Sequence, residues 1–273
     1  MHAPADPRLT WKVSGDPTRL DGAVLLLHGG KSESYDPVGR ADLAAARMRP
    51  FAGAILRRSG SGQRVGSAQH GASAQHGGSR QHGDTHRHGD SARHGGGPPR
   101  HGSPPRHGGS GGPGHRGRAV SLAVGLLRDR YRGWNGTEAE PLRDALWALE
   151  ETERLYGPIP VVLVGHSMGG RAALRAGGYR TVRAVAALCP WLPESEPFAQ
   201  LAGRTVLIAH AVRDEVTDPA ASLRYAQRAT LVADEVRYRH MTTGGHAMVR
   251  GAGQWHRLVA DFVVEQVGSR TQN

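Results

Sequence analysis

The feature that most restricts the fold is a series of short strand-like runs, most of them apolar throughout. They fall at Ala23–His28, Ala119–Leu127, Pro160–Gly165, Val182–Leu188, Thr205–His210 and Glu235–His240. A strand with one face in water alternates apolar and polar residues, whereas a continuous apolar run needs cover on both faces. Helix-like stretches lie between the runs. Pro50 reads as a first helical residue, with Phe51 and Ile55 spaced four apart; Pro141 opens another helix whose Leu142, Ala145, Leu146 and Leu149 share one face. Met168–Ala176, Pro219–Thr230 and Gln254–Val267 complete the set. Strands alternating with helices predict a three-layer α/β fold, a mostly parallel sheet with helices on both faces.

One segment stands apart from this pattern. Residues 59–118 contain no Phe, Trp or Tyr, and Val65 is their only large aliphatic side chain. They hold nine of the 16 His, and their eight Arg against two Asp supply +6 of the chain's net charge of +11. His-Gly pairs recur every six residues from His70 to His94, then at His101 and His107. A hexapeptide β-helix needs an inward apolar residue in each coil, and none is present. Pro98-Pro99 and Pro104-Pro105 would break a ladder. The expectation is a disordered His/Gly/Arg/Pro-rich insert at 59–118, carried by a single domain built from 1–58 and 119–273. Because it joins a helix to a strand, the insert is tethered at the sheet edge opposite the one where ligands bind.

The remaining composition narrows the function classes. Imidazoles six residues apart on a flexible chain lack the short paired spacing and ordered scaffold of a dedicated metal site, so no metal and no cofactor is expected. Arginines without interleaved aromatics predict no specific nucleic-acid recognition. The lone cysteine, Cys189, follows an apolar run and reads as a buried structural thiol, and it leaves no intrachain disulfide. Met1–Trp11 has no signal-peptide pattern, and no run reaches the roughly 20 apolar residues of a membrane helix. A cytoplasmic monomer or homodimer with no membrane partner is the expectation.

The chemistry concentrates at Gly165-His166-Ser167-Met168-Gly169, a G-x-S-x-G pattern. The pattern alone is not specific, for it recurs around Ser110 inside the insert. Context separates the two. Ser167 follows Val161–Val164 and precedes a helical stretch, as a strained strand-to-helix turn requires, and Ser110 has neither neighbour. A serine hydroxyl attacks only when a base takes its proton and a carboxylate orients that base. In this arrangement the acid and then the histidine follow the serine along the chain. Asp214, just past the run Thr205–His210, is the expected acid; Asp218 before Pro219 reads as a helix cap, and Glu215 as solvent-facing. His246, in Thr243-Gly244-Gly245-His246, is the expected base, with His240 a structural strand end and His28 and His166 as hydrogen-bonding scaffold. Two backbone N–H donors must meet the oxyanion, and Met168 and Gly30 are expected to supply them.

Leu25–Gly30, Tyr131–Gly136, Val164–Gly170 and Gly244-Gly245-His246 together resemble the α/β-hydrolase superfamily. The likeness is to its small, lid-less, dienelactone-hydrolase-like serine esterases and spans nearly all of the chain outside 59–118. It implies that Arg132-Gly133 borders the active site and that Trp134 lines the acyl pocket. Pro190-Trp191-Leu192-Pro193 is too short for a lid, which leaves Trp191 as a further pocket wall. The family's usual His-Gly before the acid is His210-Ala211 here, and Ser167 replaces the cysteine nucleophile of dienelactone hydrolase itself. The resemblance implies hydrolysis of small-molecule carboxylic esters through an acyl-enzyme intermediate. The alternatives are a metal- or polyanion-binding protein acting through the insert and a catalytically inactive hydrolase-fold scaffold.

Overall fold

The computed structural model describes residues 6–60 and 119–269. Its strands are β1 (Arg8–Ser14), β2 (Gly22–Leu27), β3 (Leu122–Arg128), β4 (Val161–His166), β5 (Val182–Leu188), β6 (Thr205–Ala211) and β7 (Glu235–Met241). Its helices are α1 (Leu43–Arg47), α2 (Arg49–Gly60), α3 (Glu140–Tyr156), α4 (Met168–Ala176), α5 (Pro219–Ala229) and α6 (Ala252–Gly268). The strands form one sheet in the order β1-β3-β2-β4-β5-β6-β7, parallel except for β1, which runs antiparallel to β3. Six of the strands are those the sequence predicts. The seventh, β1, carries Leu9, Trp11 and Val13 between polar residues, the pattern of an edge strand rather than a buried one. The short helix α1 is also additional; the Asp42 carboxylate caps it, accepting from Ala44 N and Ala45 N.

Successive residues of the central strands feed two separate cores. On β2, Val24 and Leu26 pack with α2 and α6, whereas Ala23, Leu25 and Leu27 pack with α3, α4 and α5. This two-sided burial is why the run is apolar at every position. Both expected prolines sit in the first turn of their helices, Pro50 in α2 and Pro141 in α3, where the missing N–H is no loss. Among the described residues no helix is long and apolar enough to cross a membrane.

Helix α2 runs through Gly60 and so takes in the first two residues of the expected insert. Ser59 is buried, its hydroxyl lies 2.7 Å from that of Ser14, and its carbonyl accepts from Val120 N at 3.1 Å. Ser59 and Gly60 thus belong to α2, with Ser59 packed and hydrogen-bonded within the fold. The rest of the insert lies outside the described residues, as does Ser110.

The Ser59–Val120 bond holds the two ends of the connection together, so the connection can be short. If 61–118 is the flexible chain its composition predicts, cutting it to about four residues lowers the closure entropy by about 2 kcal/mol. Replacing 61–118 with a short Gly/Ser linker is expected to keep cooperative unfolding and raise Tm. A broadened or lowered melting transition in the excised chain would show that the segment contributes to the fold.

Candidate functional site

Chain order and strand order diverge around β2. From β2 the chain steps to β3 on one side and then crosses back to β4 on the other. The crevice at such a switch point lies beyond the carboxyl ends of the flanking strands, which is where the chemistry-bearing residues gather. Gly29 and Gly30 follow β2, and Ser167 follows β4.

Ser167 occupies the sharp turn into α4 with φ 57° and ψ −117°. A non-glycine residue tolerates this backbone only where its surroundings enforce it. Its N–H donates to Leu188 O at 2.9 Å, and its carbonyl accepts from Arg171 N and Trp191 N. A side chain at Gly165 would collide with the carbonyl of Gly169, so the turn closes only around glycine. Ser167 is nearly buried, but its hydroxyl lies 3.0 Å from His246 Nε2.

His246 Nδ1 lies 2.8 Å from Asp214 Oδ2. Asp214 Oδ1 accepts from Val216 N at 2.8 Å and Thr217 N at 3.0 Å, as an aspartate in a tight local turn does. Burial alone would raise the Asp214 pKa. The Thr217 N–H, the His246 imidazole and the Val216 N–H outweigh it and hold the carboxyl well below the usual carboxylate range. Asp218 caps α5 by accepting from Ala220 N and Ala221 N, Glu215 is exposed, and His240 is an exposed strand residue against Tyr238.

The two scaffold histidines are buried and make backbone hydrogen bonds. His166 Nε2 donates to the His246 carbonyl at 2.8 Å, fixing the loop that carries that imidazole, and burial lowers the His166 pKa to about 3. His28 Nδ1 donates to Gly29 O, while its Nε2 accepts from Asp129 N. Gly30 packs against Arg132 O and the Met168 side chain. Neither Gly30 N nor Met168 N donates to a backbone acceptor among the described residues.

Three groups at the site escaped the sequence reading. His210 is fully buried, with Nε2 at 3.2 Å from Asp214 Oδ2 and Nδ1 at 2.8 Å from Ser222 Oγ. Asp214 thus has imidazoles on two sides. The Thr217 hydroxyl lies 3.0 Å from Asp214 Oδ2 and 3.1 Å from Cys189 O. The third is Arg171, one helical turn beyond Ser167. Its guanidinium lies 3.9 Å from the Trp134 ring centroid and 4.7 Å from that of Trp191. Arg171 Nε donates to the buried Glu196, which also accepts from Arg175. Trp134 is therefore packed on a cation, and Trp191 keeps the partial exposure of a wall. Asp-x-x-Thr spacing was the available signal for Thr217, and the His210-Ala211 pair before the acid was the one for His210; no local pattern announces Arg171. Cys189 is buried, and burial raises its thiol pKa. A cleft of about 580 Å³ opens beside His246, lined in part by Arg213, Glu215 and Arg250.

No family model matches the sequence, and no curated protein does. Solved structures do match. An alpha-beta serine hydrolase homologue from Coxiella burnetii aligns over 96% of this chain and 95% of its own, at 10% identity and a TM-score of 0.57. The Butyrivibrio proteoclasticus protein Est1E, solved with ferulic acid bound, aligns over 96% of both chains at 11% identity and a TM-score of 0.54. A Pyrococcus furiosus esterase aligns over 96% of this chain and 92% of its own, at 13% identity and a TM-score of 0.53. The chain has the α/β-hydrolase fold. Within that hydrolase fold, the sheet switch point and the Ser167 turn share one edge.

Asp129, beside His28, is the group least at ease there. It is buried, neither carboxylate oxygen has a hydrogen-bond partner among the described residues, and His28 Nε2 is 3.6 Å away. Burial, then the nearby Asp144, pushes its pKa well above the ordinary carboxylate value. A raised folded pKa means stability that is present below the unfolded pKa and lost as pH rises through the folded one. Asp129→Asn should gain Tm over the parent as pH is raised from about 5 to about 9. A Tm difference that stays constant across that range would show that Asp129 does not titrate as described.

Proposed function

We propose that this protein is a serine hydrolase that cleaves small carboxylic esters. The observation that carries the reading is the continuous relay from Ser167 Oγ through His246 to Asp214, at 3.0 Å and 2.8 Å. In the reaction, Ser167 Oγ attacks the ester carbonyl carbon as His246 Nε2 takes the hydroxyl proton. The Gly30 and Met168 N–H groups receive the negative charge that develops on the carbonyl oxygen. Collapse of the tetrahedral intermediate breaks the bond to the alcohol oxygen, which leaves with the proton from His246. Water then repeats the sequence on the acyl-enzyme, releasing the acid and restoring the serine. Asp214, ionised throughout, holds His246 in the tautomer with the proton on Nδ1 and stabilises the imidazolium as it forms.

Supporting this assignment, the backbone at Ser167 is strained and the N–H groups of Gly30 and Met168 carry no backbone partner among the described residues. The match to proteins described as esterases agrees with it at the level of the fold. Between β5 and β6 the described chain forms a single helical turn, Ala199–Leu201, so nothing the size of a lid covers the crevice from there. That openness fits small esters better than long-chain lipids.

A fluorophosphonate probe is expected to label the protein on Ser167, and Ser167→Ala to abolish both labelling and turnover of an activated ester. Labelling that survives in Ser167→Ala would reject the assignment. Asp214→Asn should lower kcat by roughly 10³–10⁴ with the fold intact, because the imidazole loses its orienting charge. If Asp218→Asn were crippled and Asp214→Asn remained active, the acid would be Asp218. A panel of esters of increasing acyl length then sets the substrate range.

A further inference from the structure

On the sheet edge that the sequence did not predict, five cationic side chains converge on one cleft. Arg8 and Lys12, four residues apart on β1, share a strand face with Arg128 of β3. Arg40 and Arg49, from the segment before α1 and the start of α2, close the opposite side. The cleft holds about 410 Å³, its lining includes Leu126, and no carboxylate lines it among the described residues. None of the five cations makes an ion pair or a side-chain hydrogen bond among the described residues.

Each placement opposes folding when the cleft is empty of anions. Arg8 stands directly across from Arg128 in the antiparallel register, and facing like charges destabilise a strand pair. Arg49 puts a cation at the positive end of α2, whose first turn has no acidic residue. Arg128 is half-buried; desolvation, then Arg8 and Arg40, lower its pKa. Elsewhere the chain pairs its arginines readily, as Arg130 does with Glu140 and Asp144, and Arg171 with Glu196. An arginine-rich composition therefore does not by itself account for five unpaired cations in one concavity.

We propose that this cleft is a binding site for a small ligand bearing a diphosphate-type group. A multiply charged phosphate reverses all three penalties, because it places negative charge between Arg8 and Arg128 and at the head of α2. Guanidinium forks match phosphate oxygens in pairs, and the volume is that of a small-molecule pocket. The apolar lining at Leu126 suits the organic part of such a ligand. The site is separate from the Ser167 crevice and does not depend on the hydrolase assignment.

The test uses the full chain, with inorganic pyrophosphate as the probe at constant ionic strength, followed by calorimetry and thermal unfolding. Saturable binding at one site per chain, with a rise in Tm, is expected. Arg8→Gln/Arg128→Gln should weaken that binding at least tenfold. The same variant should melt higher than the parent when pyrophosphate is absent and salt is low, while turnover of an activated ester stays the same. Arg40→Gln/Arg49→Gln, on the other wall, gives a second variant should the first fail to fold. Because both variants keep every arginine of the insert, pyrophosphate affinity unchanged in them would place the binding elsewhere and overturn the proposal. So would a signal that equal ionic strength of sodium chloride reproduces. Tighter binding of a short DNA duplex, lost in the same variants, would make the cleft a nucleic-acid contact and overturn the small-ligand assignment.

Discussion

Burial of both faces of the parallel sheet governs where this protein can place chemistry. A residue in the middle of β2 or β4 points into one apolar core or the other, so a polar side chain there would be desolvated without a partner. Polar function is pushed to the strand ends, and among those ends the switch point between β2 and β4 is the one that opens a crevice. Ser167, His28, Gly29 and Gly30 collect there, past strand interiors that are apolar over Ala23–Leu27 and Val161–Val164. The strained turn at Ser167 is sustained by the same packing, since β4, α4 and the Leu188 carbonyl fix the backbone on three sides.

The polar groups that do sit at this edge are satisfied in layers. His246 is held by its own carbonyl through His166, and its ring is held through Asp214. Asp214 in turn accepts two backbone N–H groups and lies against His210, which is steadied by Ser222. Removing any outer member leaves a buried donor or acceptor unpaired, at about 1–3 kcal/mol each. Hydrogen bonds surround the acid and histidine, while the serine face adjoins Arg171, which packs against Trp134 and Trp191. Asp129, His166 Nδ1, Arg132 Nε and the Arg8–Arg128 pair are exceptions, groups whose burial or charge is left uncompensated by the described residues.

The six central and flanking strands, the five longer helices and the Ser167, Asp214 and His246 positions were legible in the sequence. Each rests on a local rule: apolar runs for strands buried on both faces, proline at helix starts, glycine around a tight turn. The edge strand β1 and the short helix α1 were not legible, because neither holds a fully buried residue and both lack the apolar pattern that identified the others. Arg171 and His210 were missed for a different reason. Arg171 meets Glu196 25 residues away, and His210 is held between Asp214 and Ser222, 12 residues on, contacts that depend on how separate elements pack.

By itself, the sequence determined the layer architecture and the order in which Ser167, Asp214 and His246 follow their strands, since both follow from patterning within short windows. Only the tertiary structure decided that Ser167 Oγ and His246 Nε2 stand 3.0 Å apart although 79 residues separate them. It also decided that Trp134 packs on a cation, and that Arg8 faces Arg128. Such pairings depend on how strands register and helices cross, and those are fixed by packing between elements distant in the chain rather than by the residues beside them.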